Sequence, residues 1–324
     1  MHSEYCTDLL YTGQTVICIT EDEAHMGIAA QERLRGFAKA GAGGGKRIVF
    51  WVMAAPSAFA WYDAFVDDCR TDDGFASIVA EAEFFQFDDY PISRTDPKFP
   101  VTFRHLLKTH LFDRLGAARP PEDHIHKLEL TGDDSDTIVL RDYERALIER
   151  LQDPETIVIE VKGIGMDGHW GFHGRETPLD AEPEYISIPI NRQNRIQQTL
   201  DWPEYFPSVD DVSDSASTAT VNMFLMADNI IDLVPQPSKR FAVLATYGTN
   251  EPIQSIPASA LKTHGSSWSF ITKAAGESLA PYRRSGVLRD SDLAAIDAIW
   301  GDDQESREWA RSILVRAGII TTES

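Results

Sequence analysis

Gly163-Ile164-Gly165-Met166-Asp167-Gly168-His169-Trp170-Gly171-Phe172 is the stretch that decides how this chain is read. The run before it, Thr156-Ile157-Val158-Ile159-Glu160-Val161, is rich in β-branched residues and reads as a buried strand. Four glycines in the next ten residues let the backbone turn sharply and come close to a small ligand. Inside that turn sit an acid and an imidazole, Asp167 and His169. Open α/β sheets keep their chemistry at the carboxyl ends of parallel strands, and a titratable pair fits that place. A plain turn with a capping histidine is the competing reading.

Working outward, a strand over 47–52 leads into Met53-Ala54-Ala55-Pro56-Ser57 and a helix over 58–69, with Ser57 as its N-cap. Such a turn, with Ala55 and Ser57 in it, offers unpaired helix N–H groups to an anion. A strand over 83–87 ends in Asp88-Asp89-Tyr90-Pro91. Adjacent carboxylates repel, which raises the pKa of one of them and suits it to act as a base near neutrality. An amphipathic helix is expected over 101–115. Its His105 and His110 are five apart, which is not the metal-binding spacing, so both read as ordinary helix residues.

Upstream, a strand over 15–20 precedes a helix from Thr20, capped with Glu23, to about Ala40. Downstream, a strand over 185–190 is followed by Arg192 and Arg195, and 201–217 reads as a polar surface insertion. A further strand over 230–234 opens into Pro235-Gln236-Pro237-Ser238-Lys239, with Ser238 as cap. Lys239 then falls in a first helical turn, where the dipole disfavours a cation unless an anion sits there too. Residues 268–272 read as a strand; 274–279, 290–300 and 305–317 read as helices. Alternating strands and helices predict an α/β fold, Rossmann-like, with a mostly parallel sheet. The predicted division is one large domain over 1–288 and a helical extension over 289–324.

The chain has 324 residues and 43% hydrophobic content, enough for a large core. Its formal charge of −21 argues against nucleic acid and anionic membranes as partners. Cys6, Cys18 and Cys69 are an odd number without metal spacing, and read as free thiols in a reducing compartment. The first residues, Met1 to Tyr5, lack a basic start and an apolar run. The richest apolar stretch, 48–61, is interrupted at Pro56 and is too short to span a bilayer. A cytoplasmic protein is the expectation.

Together these stretches resemble the glucosamine-6-phosphate isomerase/deaminase superfamily, which also contains the 6-phosphogluconolactonases. The likeness rests on Gly163 to Phe172, on Phe87-Asp88-Asp89-Tyr90, and on Ile256-Pro257-Ala258-Ser259-Ala260-Leu261 after Lys239. Phe172 favours the deaminase branch. The resemblance implies an aldose–ketose isomerase acting on a sugar phosphate, in particular an amino-sugar phosphate, with release of ammonia. It implies Asp88 as the base, His169 as the ring-opening acid/base and Asp167 as its partner. Ala55, Ser57, Asp89, Gly168, Lys239 and either Arg192 or Arg195 would contact substrate. It calls for no metal and no cofactor, and it suggests a homo-oligomer. Two departures stand out. The phosphate turn lacks the family's hydroxyls, and Gly174 stands where the deaminases carry a glutamate, with His173 and Glu176 as nearby substitutes. A lactone hydrolase and a non-catalytic sugar-phosphate sensor are the alternatives.

Overall fold

The computed structural model describes residues 3–176 and 178–321. Met1 and His2 of the chain start, and the last three residues of the predicted extension, lie outside the described residues. The strands are β1 (Cys6–Thr12), β2 (Thr15–Thr20), β3 (Arg47–Val52), β4 (Glu83–Gln86), β5 (Ile125–His126), β6 (Thr156–Gly163), β7 (Tyr185–Pro189), β8 (Ser215–Ala219), β9 (Asn229–Val234) and β10 (Ser267–Thr272). Eight of them form one sheet in the order β1-β2-β10-β9-β6-β3-β4-β5. Only the β1–β2 pair is antiparallel. The predicted α/β, mostly parallel architecture is therefore the one found.

The sheet is buried on both faces. That is why β3 reads as a continuous apolar run, Ile48 to Val52; Ile230 to Val234 are buried throughout too, with Asp232 paired to Lys162. Helices cover it: α1 (Glu23–Gly43), α2 (Phe59–Thr71), α3 (Asp73–Glu81), α4 (Phe103–His110), α5 (Asp136–Leu151), α6 (Arg192–Asp201), α7 (Val221–Phe224) and α8 (Arg240–Tyr247). Three more, α9 (Leu279–Ser285), α10 (Asp290–Ala298) and α11 (Gln304–Arg316), close the chain. Trp300 and Trp309 pack edge-on against Phe241 of α8, which ties the last two helices to the core. No helix among the described residues is long and apolar enough to cross a membrane.

The strand order turns back between β3 and β6. After β3 the chain continues to β4 on one side, and after β6 to β9 on the other. All four strands are parallel, so the loops following them emerge at one edge, around that reversal.

Several local expectations are corrected. Asp22, not Thr20, caps α1 by accepting from the His25 N–H, and the helix runs on to Gly43. Pro56 starts a 3-10 turn over Pro56–Ala58, so Ser57 caps nothing. Ser238 likewise lies inside a 3-10 turn, Pro237–Lys239. The helix over 101–115 is only α4, flanked by 3-10 turns, and 274–278 is turn rather than helix. The stretch 201–217 is no loose insertion: Phe206 is buried, and its end forms β8, paired with β7 in a separate two-stranded sheet.

Cys6 and Cys18 are not free thiols. They form a disulfide across the β1–β2 hairpin, and only Cys69 is free. Closing the short loop between them, a separation of 12, limits the unfolded chain. Reduction is expected to cost about 2–3 kcal/mol, read as a lower denaturant midpoint with dithiothreitol. Cys18→Ser is expected to reproduce that midpoint, and an unchanged midpoint would show that the bridge does not hold the hairpin.

Candidate active site

The loop after β6 is shaped by its glycines. Gly168 and Gly171 have φ of +84° and +61°, a region other residues enter with strain. The Gly165 N–H donates to the His169 carbonyl at 3.1 Å, and the Gly168 N–H to the Gly165 carbonyl at 3.0 Å. This tight turn folds the His169 ring over Gly165, where a Cβ would lie 2.0 Å from it.

Asp167 fixes the ring. Its Oδ1 lies 2.6 Å from His169 Nδ1, and its Oδ2 accepts from Asn191 Nδ2 at 2.9 Å. Burial pushes this carboxyl up, but the His169 charge and the two side-chain hydrogen bonds outweigh it and hold it at about 2. An ionised Asp167 accepts a hydrogen bond from Nδ1–H, which leaves Nε2 as the working nitrogen.

The two acids after β4 have opposite environments. Asp89 is fully buried and accepts from the N–H groups of Tyr90, Phe103 and Arg104, from Gln86, and from Arg104 Nη1 at 2.7 Å. It anchors the start of α4 and does not line the crevice, which corrects its expected role as a substrate contact. Asp88 is also buried, but its Oδ1 has no partner. Burial, then the neighbouring Asp89 charge, pushes the Asp88 carboxyl well above the ordinary range.

Asp88 and His169 line one crevice of about 540 Å³, its open mouth included. Met53, Ala55, Pro56 and Ser57 after β3, Phe87 after β4, and Gly163 to Gly165 after β6 line it too. Lys239 after β9 lines it as well, buried, and among the described residues its ammonium makes no hydrogen bond or ion pair. Burial lowers its pKa, while the charges of Asp201, Asp167 and Asp232 raise it. Ser57 Oγ donates to Gln236 Oε1 at 2.9 Å, linking the turns after β3 and β9. Phe172 closes one wall by stacking on Phe103, with ring centroids 5.5 Å apart.

The remaining expected contacts are elsewhere. Arg192 pairs with Asp303 and Arg195 with Asp214, and neither reaches the crevice. Glu176 is 60% exposed and pairs with Arg175, so it does not replace the missing glutamate. His173 is buried, its ring nitrogens are unpartnered, and burial pulls its pKa down to about 4. Gly168 shapes the turn and packs against Ile256 instead of facing the crevice. Sequence reading missed Gln197, Gln198, Asp201 and Trp202, which α6 and the residue after it bring to the crevice. Their polar character read as surface; their spacing of three and four along one helix face was the available signal.

Sequence and fold comparisons agree on kinship. The chain is 28% identical over 181 residues to a glucosamine-6-phosphate deaminase of Bacillus pumilus, covering 56% of this chain and 69% of that protein. It is 24% identical over 209 residues to the Oceanobacillus iheyensis enzyme of the same name, covering 64% and 77%. A solved monomeric glucosamine-6-phosphate deaminase superposes with a TM-score of 0.67 at 21% identity, covering 82% of this chain and 99% of that one. In sequence and fold the chain resembles the glucosamine-6-phosphate isomerase/deaminase superfamily. The 6-phosphogluconolactonase of Leishmania guyanensis shares the fold with a TM-score of 0.59 at 18% identity, covering 81% and 98%. No family model matches the chain. Within this superfamily fold, the crevice lies where the strand order reverses, between β3 and β6.

Proposed function

We propose that the crevice moves a proton between C2 and C1 of a ring-opened amino sugar. The substrates named by the relatives, amino-sugar phosphates, are the starting class. The observation that carries this reading is the pairing in one crevice of a buried, half-unpartnered carboxyl, Asp88, with an imidazole oriented by Asp167. His169 Nε2 passes a proton to the ring oxygen as the C1–O bond opens. Asp88 takes the C2 proton, giving an enolamine, exchanges it with solvent, and protonates C1, which leaves an imine at C2. Water then adds at C2, ammonia leaves, and a ketose remains. Asp88 has to be ionised to act, and its raised pKa moves that requirement upward. Activity is therefore lost as pH falls through a range above that of an ordinary aspartate.

The test uses purified protein in deuterated water with glucosamine, glucosamine 6-phosphate and 6-phosphogluconolactone. Ammonia release with deuterium at C1 of the ketose is the expected result, with an acid limb in kcat/KM above the usual aspartate range. Consumption of the lactone alone would replace this reading with hydrolysis. Ligand binding without turnover would replace it with a sensor.

A further inference from the structure

We propose that Asn191 is the positioning residue of the Asp167–His169 pair, holding the carboxylate from the start of α6 in the space that Gly174 leaves open. The proposal rests on the reading above, in which His169 moves the proton that opens the ring. Asn191 Nδ2 donates to Asp167 Oδ2 at 2.9 Å, and Asp167 Oδ1 lies 2.6 Å from His169 Nδ1. The three side chains make one run of hydrogen bonds that ends on the imidazole. Asn191 does not line the crevice, so it acts through Asp167 and not on substrate.

The place calls for an amide. Asn191 caps α6: its backbone is extended, and its Oδ1 accepts from the Asn194 N–H at 2.8 Å. That backbone N–H can only donate, while the Asp167 carboxylate, held at about 2, can only accept. An amide answers both, with one atom for each. Aspartate and serine are also good caps. An ionised aspartate, however, brings no donor for Asp167, and a serine hydroxyl is too short to serve both partners.

Gly174 is where the resemblance calls for a glutamate. Its φ is not left-handed, so the backbone there does not require glycine. Space requires it instead: a Cβ at 174 would lie 3.0 Å from Asn191 Nδ2, closer than side chains ordinarily sit. A side chain at 174 and the Asn191 amide compete for one volume, and this chain fills it with the amide. α6 is fastened to the loop again nearly two turns further on, where Gln197 Oε1 accepts from the Met166 N–H at 2.8 Å. Bonds at two separate points thus splint the turn carrying Asp167 and His169 against one helix.

The experiment compares Asn191→Ser and Asn191→Asp with wild type, using glucosamine 6-phosphate as substrate and the full chain with isotope-labelled histidine for NMR. Both replacements keep a cap on α6, so a role confined to capping leaves them like wild type. Asn191→Ser is expected to lower kcat by about tenfold to a hundredfold with KM unchanged, the cost of a reacting group held slightly out of place. In Asn191→Asp two carboxylates face each other and share a proton at low pH, which restores the donor. Its kcat relative to wild type should therefore fall as pH rises, while that of Asn191→Ser stays level. The His169 Nδ1 proton, assigned by its loss in His169→Gln, is expected downfield and slow to exchange in wild type. At neutral pH both variants should move it upfield and speed its exchange. Wild-type kcat in both variants overturns the proposal, as does a lower kcat with an unmoved His169 signal, or a loss confined to KM. The NMR arm needs no turnover. If wild type releases no ammonia, the proton-transfer reading fails by itself; a moved Nδ1 signal still upholds Asn191 as the residue that sets the ring, and an unmoved one overturns it.

Discussion

Asp88→Asn is expected to lower kcat/KM by about a hundredfold to ten-thousandfold, the range lost when a positioned general base is removed. Exchange of the C2 proton with solvent should fall by the same factor, because the amide cannot accept it. The fold is expected to survive. Among the described residues Asp88 makes no ion pair, and its Oδ1 has no partner, so the amide forfeits no charged contact. The linkage has a definite sign. In the folded protein the carboxyl keeps its proton to a higher pH than it would unfolded, so ionising it costs stability as pH rises. An amide carries no such cost, and the melting temperature of Asp88→Asn at neutral pH should equal or exceed that of wild type. A variant that exchanges C2 protons at the wild-type rate would remove Asp88 from the mechanism. One that loses activity only by unfolding would make Asp88 a structural residue.

The contrast between Asp88 and its neighbour shows what the sequence could and could not convey. Two adjacent acids at a strand end are visible in the sequence, but their division of labour is not. Successive side chains in extended backbone point to opposite sides. One acid therefore meets the crevice, and the other meets the N–H groups at the start of α4 and the buried Arg104. Arg104 itself reads as an exposed helix residue until that packing is known. The four turns of the site were legible because each depends on local chemistry: glycines after β6, proline after β3 and β9, paired acids after β4. The wall from α6 was not, because Gln197, Gln198 and Asp201 are polar residues that a surface helix also carries. Which face of α6 turns inward is set by Met166 and Tyr90, which bond Gln197 and Gln198 from far away along the chain. The two arginines failed for the same reason: they share α6 with the lining residues but lie on its other side. The strands themselves were legible, because a doubly covered sheet demands unbroken β-branched and aromatic runs. The disulfide was hidden, since pairing across a hairpin depends on register, which cysteine counting does not give.

Gly165→Ala tests whether the loop's geometry, beyond its two titratable groups, is what places the acid. A Cβ there would sit 2.0 Å from the His169 ring, far inside contact distance. The backbone at Gly165 is not left-handed, so alanine fits its dihedral angles and the collision falls on the imidazole alone. The ring has to leave Asp167, and its orientation toward the crevice goes with that bond. We expect kcat to fall by about a hundredfold or more, approaching the loss for His169→Gln, because both changes remove the same proton donor. The two losses should not add. If alanine acts through the ring, the double variant Gly165→Ala/His169→Gln is no slower than His169→Gln alone. Losses that multiply would mean that alanine damages the crevice by another route. A wild-type rate in Gly165→Ala would mean that ring placement over Gly165 has no part in catalysis. Gly168→Ala serves as the contrast. There the backbone is left-handed, and a Cβ meets Ile256 at 2.7 Å, so the expected cost is to folding stability as well as rate.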